Sequence, residues 1–297
     1  MENDVARYKL NAAAYFYNLA QQLEIECEKE GDSKEFREME LAYLKAVKYY
    51  QDAALSLERA DLWEKAGDIL LTKLVREKEA IRAYEKALEL DHGNKPLLKK
   101  LGEAYLGMTI NSEYAFAKNE ALLKASELFL EYLAEFPQDY DALTSLGNAL
   151  YKRKEYERAK EYYEKALSIK PDDYRVLWNA AQNYVALGNY EMAIRMHEKL
   201  CEIKYDSPHP FADLARLYCK LGEYEKAIEH WNMALERCPD CWGYWQELED
   251  CYANLGRYDE AKKCRVKALE IKAKREEEES AWQKSKKLTA SRNNNDV

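Results

Sequence analysis

The sequence predicts an all-α chain, an α-α superhelix of stacked antiparallel helix pairs, on three observations. Ala159, Ala193, Ala227 and Ala261 recur every 34 residues, and Gly188, Gly222 and Gly256 keep the same interval. A fixed period of that length, carried by small residues, marks stacked supersecondary units rather than one globular core. The six prolines, at 96, 137, 171, 208, 210 and 239, all fall between candidate helix pairs. There a residue that lacks an amide donor and crowds the preceding turn does no harm. No alternation of apolar and polar residues is long enough to argue for strands.

Taken in order, residues 1–59 read as an irregular N-terminal helical hairpin: two amphipathic stretches split near Gly31-Asp32-Ser33, with Ala46, Tyr50 and Ala53 spaced as on a second helix. Residues 60–139 read as degenerate units. Trp63, Gly67, Ala80, Tyr84 and Ala87-Leu88 form one of them, with one extra residue. Leu98, Leu101-Gly102 and Tyr105 open the next, which Ala125, Phe129, Leu133 and Pro137 close. Between these halves an insert at about 106–124 makes the interval 11 residues longer than in the regular units. Ile110, Tyr114 and Phe116 are apolar there without the repeat requiring it; the insert either extends the helical hairpin, the favoured reading, or loops over a groove.

Residues 140–275 hold four regular units. In each, a first helix ends near a leucine-glycine step, where glycine accepts the turn without a side-chain penalty. Gly147, Ala181 and Ala215 in the first helix, with the alanine in the second, let two backbones approach closely. Glu249 breaks that rule in the fourth unit, so a differently packed end is expected. Residues 276–297 read as a capping extension of the last helix, with Glu276 to Glu279, Trp282 and lysines, followed by a disordered tail at Ser291-Arg292-Asn293-Asn294-Asn295.

These residues resemble the tetratricopeptide repeat (TPR) family. Leu-Gly-X-Tyr occurs at Leu187-Tyr190, Leu221-Tyr224 and Leu255-Tyr258, and Tyr/Trp-X-X-Ala-Leu at Tyr163-Leu167 and Trp231-Leu235. The resemblance is strong over 140–275 and degraded upstream. It implies a right-handed solenoid, an inner face lined by the first helix of every pair, and a protein-binding adaptor or assembly scaffold. Chaperone-binding members clamp a terminal carboxylate with cations and asparagines on three successive first helices. Here Asn148 and Asn179 match the two amides, but Thr144, His209 and Asp213 stand at cation positions. One unit upstream, Lys99 and Arg175 are recovered while Glu103 and Ser145 take the amide positions, so the chaperone clamp is not expected.

On the inner face, periodicity exposes Lys99, Asn148, Lys152, Arg175, Trp178, Asn179, Gln182, Arg216 and Lys220 as a candidate peptide-binding groove. Amides suit a peptide backbone, cations its carboxylates and the indole an apolar side chain. The expected partner is therefore a protein or peptide carrying an extended, acidic segment; the plainer alternative is a solvated helix face.

A net charge of −9 argues against general adhesion to nucleic acid or anionic membrane. No apolar run approaches a membrane span, and Met1-Glu2-Asn3-Asp4 does not look like a secretory signal. The seven cysteines then read as reduced thiols of a cytoplasmic protein. Cys238-Pro239-Asp240-Cys241 has the spacing of a redox pair or half a zinc site, but its proline sits at a repeat junction, so no metal and no cofactor are expected. Glycine-rich phosphate loops, HExxH helices and Gly-X-Ser-X-Gly elbows are absent, and the chain is not read as an enzyme. Two alternatives to the adaptor stay open: self-assembly through the terminal pairs or the Trp282 tail, and a metal- or redox-responsive protein acting through Cys238 and Cys241.

Overall fold

The computed structural model describes residues 2–30, 33–111, 115–204 and 206–293. Among them every regular element is a helix, and the helices pack as adjacent pairs. The chain divides into two compact units, Met1–Ile169 and Lys170–Val297. The first holds α1 (Glu2–Glu30), α2 (Ser33–Leu57), α3 (Ala60–Thr72), α4 (Glu77–Leu90), α5 (Lys95–Asn111), α6 (Ala115–Glu135), α7 (Tyr140–Lys152) and α8 (Tyr156–Ile169). The second holds α9 (Tyr174–Ala186), α10 (Tyr190–Ile203), α11 (His209–Lys220), α12 (Tyr224–Arg237), α13 (Trp242–Asn254) and α14 (Tyr258–Asn293).

The turn inside three of the four regular pairs follows from a leucine-glycine step; in the first, Leu146-Gly147 lies within α7 and the turn falls later. Gly188, Gly222 and Gly256 adopt φ of +74°, +75° and +73°. This left-handed turn lets the next amide reach back over the helix end: Asn189 N donates to Tyr184 O, Glu223 N to Tyr218 O and Arg257 N to Tyr252 O, each at 2.9 Å. One period earlier the same place is held by Lys154, with φ 65°, and Glu155 N still donates to Leu150 O at 3.0 Å. First helices begin under side-chain caps: Asp139 accepts from the Ala142 amide, and Asp173 from those of Arg175 and Val176.

Close approach within the pairs is visible atom by atom. A methyl group added at Gly147 would lie 2.7 Å from Tyr163 Cε1, and one at Gly102 would lie 2.9 Å from Phe129 Cζ. Both rings are fully buried, as is Trp231 in the second unit. Burying each such side chain stabilises by about 1.5–3 kcal/mol, and only the missing Cβ makes room for the ring. At Glu249 the packing does change: its carboxylate accepts from Arg265 Nε at 2.7 Å, so an ion pair replaces the small-against-aromatic contact.

The insert lengthens both of its helices. α5 has 17 residues and α6 has 21, against 13 and 14 for α7 and α8. Tyr114 lies outside the described residues, as do the side chains of Ile110 and Phe116. At the far end α14 continues for 36 residues. It takes in Ser291, Arg292 and Asn293, expected as disordered, while Asn294 and Asn295 lie outside the described residues. Strong helix formers and intrahelical pairs such as Lys274 with Glu278, 3.9 Å apart, support that continuation.

Candidate binding faces on the first helices

In the first unit, α5 and α7 carry Lys99, Asn148 and Lys152. Lys99 is half-buried and its Nζ lies 3.0 Å from both carboxylate oxygens of Asp139 and 3.8 Å from Asp141. Burial opposes ionisation of Asp139, but the Ala142 amide, Lys99 and the Tyr132 hydroxyl together hold it below the ordinary aspartate value. Beside it, Lys100 donates to Glu64 and Asp68 at 2.8 Å. Burial raises the carboxyl of Glu103; the charges of Asp141 and Asp139 act the same way, and those of Lys99 and Lys100 oppose it. Asn148 Oδ1 accepts from Tyr163 OH at 2.9 Å, so this amide steadies the buried ring. Lys152 is exposed and among the described residues reaches the Thr109 hydroxyl, at 3.4 Å.

In the second unit, α9 and α11 carry the remaining candidates. Trp178 is 40% exposed, and its indole N–H donates to Asp213 Oδ2 at 3.3 Å. Arg216 is clamped: Nε and Nη2 donate to Glu247 at 2.9 and 2.7 Å, and Nη1 donates to Asp213 at 3.1 Å. The guanidinium also lies over the rings of Trp231 and Tyr244. Hydrogen bonding to Glu247 raises its pKa against the effect of burial, so it is a fixed cation shared between two carboxylates. Arg175 is largely exposed, with Asp173 at 4.0 Å, and Lys220 is exposed with no ion pair among the described residues. Asn179 and Gln182 are half-buried beside them.

The nine residues thus fall on two faces, three on one unit and six on the other. They differ in availability. Lys99 and Arg216 are occupied by carboxylates; Lys152, Arg175, Trp178 and Lys220 are open to solvent. The pairing of these residues with carboxylates is not among the sequence expectations, although a signal for it exists. Side chains about one repeat apart meet on successive first helices: Trp178 with Asp213, Arg216 with Glu247, and His209 Nδ1 with Tyr244 OH at 3.2 Å.

One cysteine expectation is corrected. Cys238 and Cys241 form a disulfide, with S–S 2.00 Å and Cα–Cα 5.5 Å, and Cys27, Cys201, Cys219, Cys251 and Cys264 remain thiols. The turn through Pro239 and Asp240, between the end of α12 and the start of α13, brings the two sulfurs within bonding range. Among the described residues, no group of three or more His, Cys, Asp or Glu is placed to hold a metal ion. None of their helices is long and apolar enough to cross a membrane.

Against known proteins, sequence profiles described as tetratricopeptide repeat match residues 60–94, 140–173, 174–207, 211–241 and 244–275, together more than half of the chain. Among curated proteins no significant sequence match is found. Similar solved structures include YrrB, described as a TPR protein with an unusual peptide-binding site: TM-score 0.54, 20% identity, covering 65% of this chain and 93% of that one. A MamA protein gives 0.52 at 19% identity, covering 59% and 94%. MamA from Desulfovibrio magneticus RS-1 gives 0.50 at 18%, covering 61% and 97%. At such identities the likeness is one of fold.

Proposed function

Because this chain belongs to the tetratricopeptide repeat family, a family of protein-interaction scaffolds, we propose that it is a non-catalytic adaptor that holds an extended peptide segment against its first-helix faces. The observation that carries this is Trp178, an indole left two-fifths exposed on α9 and oriented by Asp213, with Arg175 one turn away. An apolar ligand side chain would cover the ring, while Arg175 and Lys220 would receive carboxylates and Asn179 and Gln182 the peptide backbone. On the first unit, Lys152 offers the open cation and Asn148 an amide. Arg216 and Lys99 act differently from the sequence expectation: an incoming carboxylate there must displace Glu247 or Asp139, so these two shape the faces more than they attract.

The test is an arrayed library of random extended peptides, bound by the full chain and by a Trp178→Ala/Arg175→Ala variant. The expected result is enrichment of peptides pairing an acidic with an aromatic or aliphatic residue, and at least tenfold weaker binding by the variant. Equal binding by a variant of unchanged helicity would sink the proposal.

A second reading, self-association, is favoured by the end of α14. Trp282 is 61% exposed there, and Glu276 to Glu279 precede Lys284, Lys286 and Lys287 in sequence. An antiparallel second copy centred near Ala281 would set the acidic run of each helix beside the basic run of the other.

A further inference from the structure

We propose that Cys219 and Cys251 form a peroxide-sensitive thiol pair whose oxidation to a disulfide ties together the first helices of two successive repeats in the second unit. Their Sγ atoms lie 2.9 Å apart, less than 1 Å beyond the bonded distance of about 2.05 Å. Unlike Cys238 and Cys241, which share one turn, these cysteines come from separate elements, α11 and α13. A bond between them would join the helices that also meet through Arg216 and Glu247.

The two sulfurs are unequal in a way that suits the chemistry. Cys219 is half-buried, whereas Cys251 is only 1% exposed. Accepting a hydrogen bond from Cys251 lowers the Cys219 pKa; burial, Glu247 and Asp250 oppose this, and the Trp231 indole assists. That indole N–H makes no hydrogen bond of normal geometry, so its help is that of a nearby positive dipole. Donating to Cys219, and burial, push Cys251 up. Being the reachable one, the Cys219 sulfur meets peroxide first, and the buried Cys251 is the resolving thiol. Among the described residues no thiol pairs with Cys201 or Cys264, and burial pushes them up to about 12 and about 11.

The oxidant is a hydroperoxide, with hydrogen peroxide as the simplest case. The Cys219 thiolate attacks one peroxide oxygen and breaks the O–O bond; the sulfur becomes a sulfenic acid, and the departing hydroxide takes up the thiol's proton as water. Cys251 sulfur then attacks the Cys219 sulfur and breaks its S–O bond, forming S–S. The hydroxide released takes the Cys251 proton as a second water. Two thiols lose two electrons in total and one peroxide gains them. None of this depends on what the helix faces bind.

The experiment uses the full chain, reduced, freed of reductant, exposed to hydrogen peroxide, alkylated, and digested with trypsin without reduction. Mass spectrometry should find the peptide of residues 217–220 joined to that of residues 238–257. The second peptide also carries Cys238 and Cys241, so a Cys238→Ser/Cys241→Ser variant is run in parallel. The expected outcome is a link that persists in that variant, is lost in both Cys251→Ala and Cys219→Ser, and reverses with dithiothreitol. A rise in Tm of several degrees on oxidation, absent from Cys219→Ser, should accompany it. Recovery of Cys219 as the alkylated thiol or as a sulfinic acid would overturn the proposal, as would a link that requires Cys238 or Cys241.

Discussion

At the scale of single residues, the turns show how far a repeat geometry can override local preference. Gly188, Gly222 and Gly256 occupy the left-handed region where glycine is at no disadvantage, and their recurrence is plain in the sequence. Lys154 holds the equivalent place at φ 65°, and Val75, in the α3–α4 turn with its extra residue, sits at φ 53°. Each carries a Cβ into a conformation that costs an L-residue about 1–2 kcal/mol, and a β-branched side chain is the worse fit. Lys154→Gly is therefore expected to stabilise the protein by about 1 kcal/mol once glycine's greater unfolded-state entropy is set against the relieved strain. Val75→Gly should give at least as much. Urea unfolding of both variants beside wild type checks this, and a loss of stability in both would refute it.

At the scale of elements, the contact inside each pair is a small residue against a large one, and its chemistry drifts along the chain. Gly67 faces Tyr84, Gly102 faces Phe129 and Gly147 faces Tyr163. In register with these come Ala181 with His197, Ala215 with Trp231, and finally Glu249 with Arg265. The small partners were legible because their spacing is fixed. The large partners were not, since nothing in a period states which ring lies over which glycine. His197 makes the drift testable. It is 1% exposed, and burial lowers its pKa from 6.5, with the charge of Asp213 opposing. The unfolded chain thus binds a proton more readily than the folded one. Its contribution to stability is whole above pH 6.5 and is lost as pH falls below that value toward the folded pKa. His230 shifts in the same direction. His197→Gln should consequently show a smaller drop in Tm between pH 7 and pH 5 than wild type; parallel curves would rule out this origin.

At the scale of the whole molecule, the fourth regular pair departs from the pattern of the one before it. An alanine, a cation and an indole, those of Ala212, Arg216 and Trp231, give way one period on to an amide, a carboxylate and a guanidinium, those of Gln246, Asp250 and Arg265. These three, with Trp242 and Leu269, line an open cleft of about 640 Å³ on α13 and α14. Past this cleft α14 continues as an extension to Asn293. If that extension mediates self-association, light scattering should give a larger mass for the full chain than for one ending at Arg275. Trp282→Ala in the full chain should lower the mass as well. Identical monomers throughout would remove this role. Folding should survive the truncation, because none of residues 276–282 is buried.

By itself the sequence determined the helices and their pairing. Those properties follow from spacing along one chain, which decides which side of a helix is apolar and where a turn can form. Only the tertiary structure decided that Lys99 and Arg216 are held by carboxylates, that Cys238 and Cys241 are bonded, and that two thiols meet at 2.9 Å. Such contacts turn on ångström differences in how successive helices are placed. A period constrains that placement only to within a residue or so, and electrostatic and covalent interactions are lost or made within less.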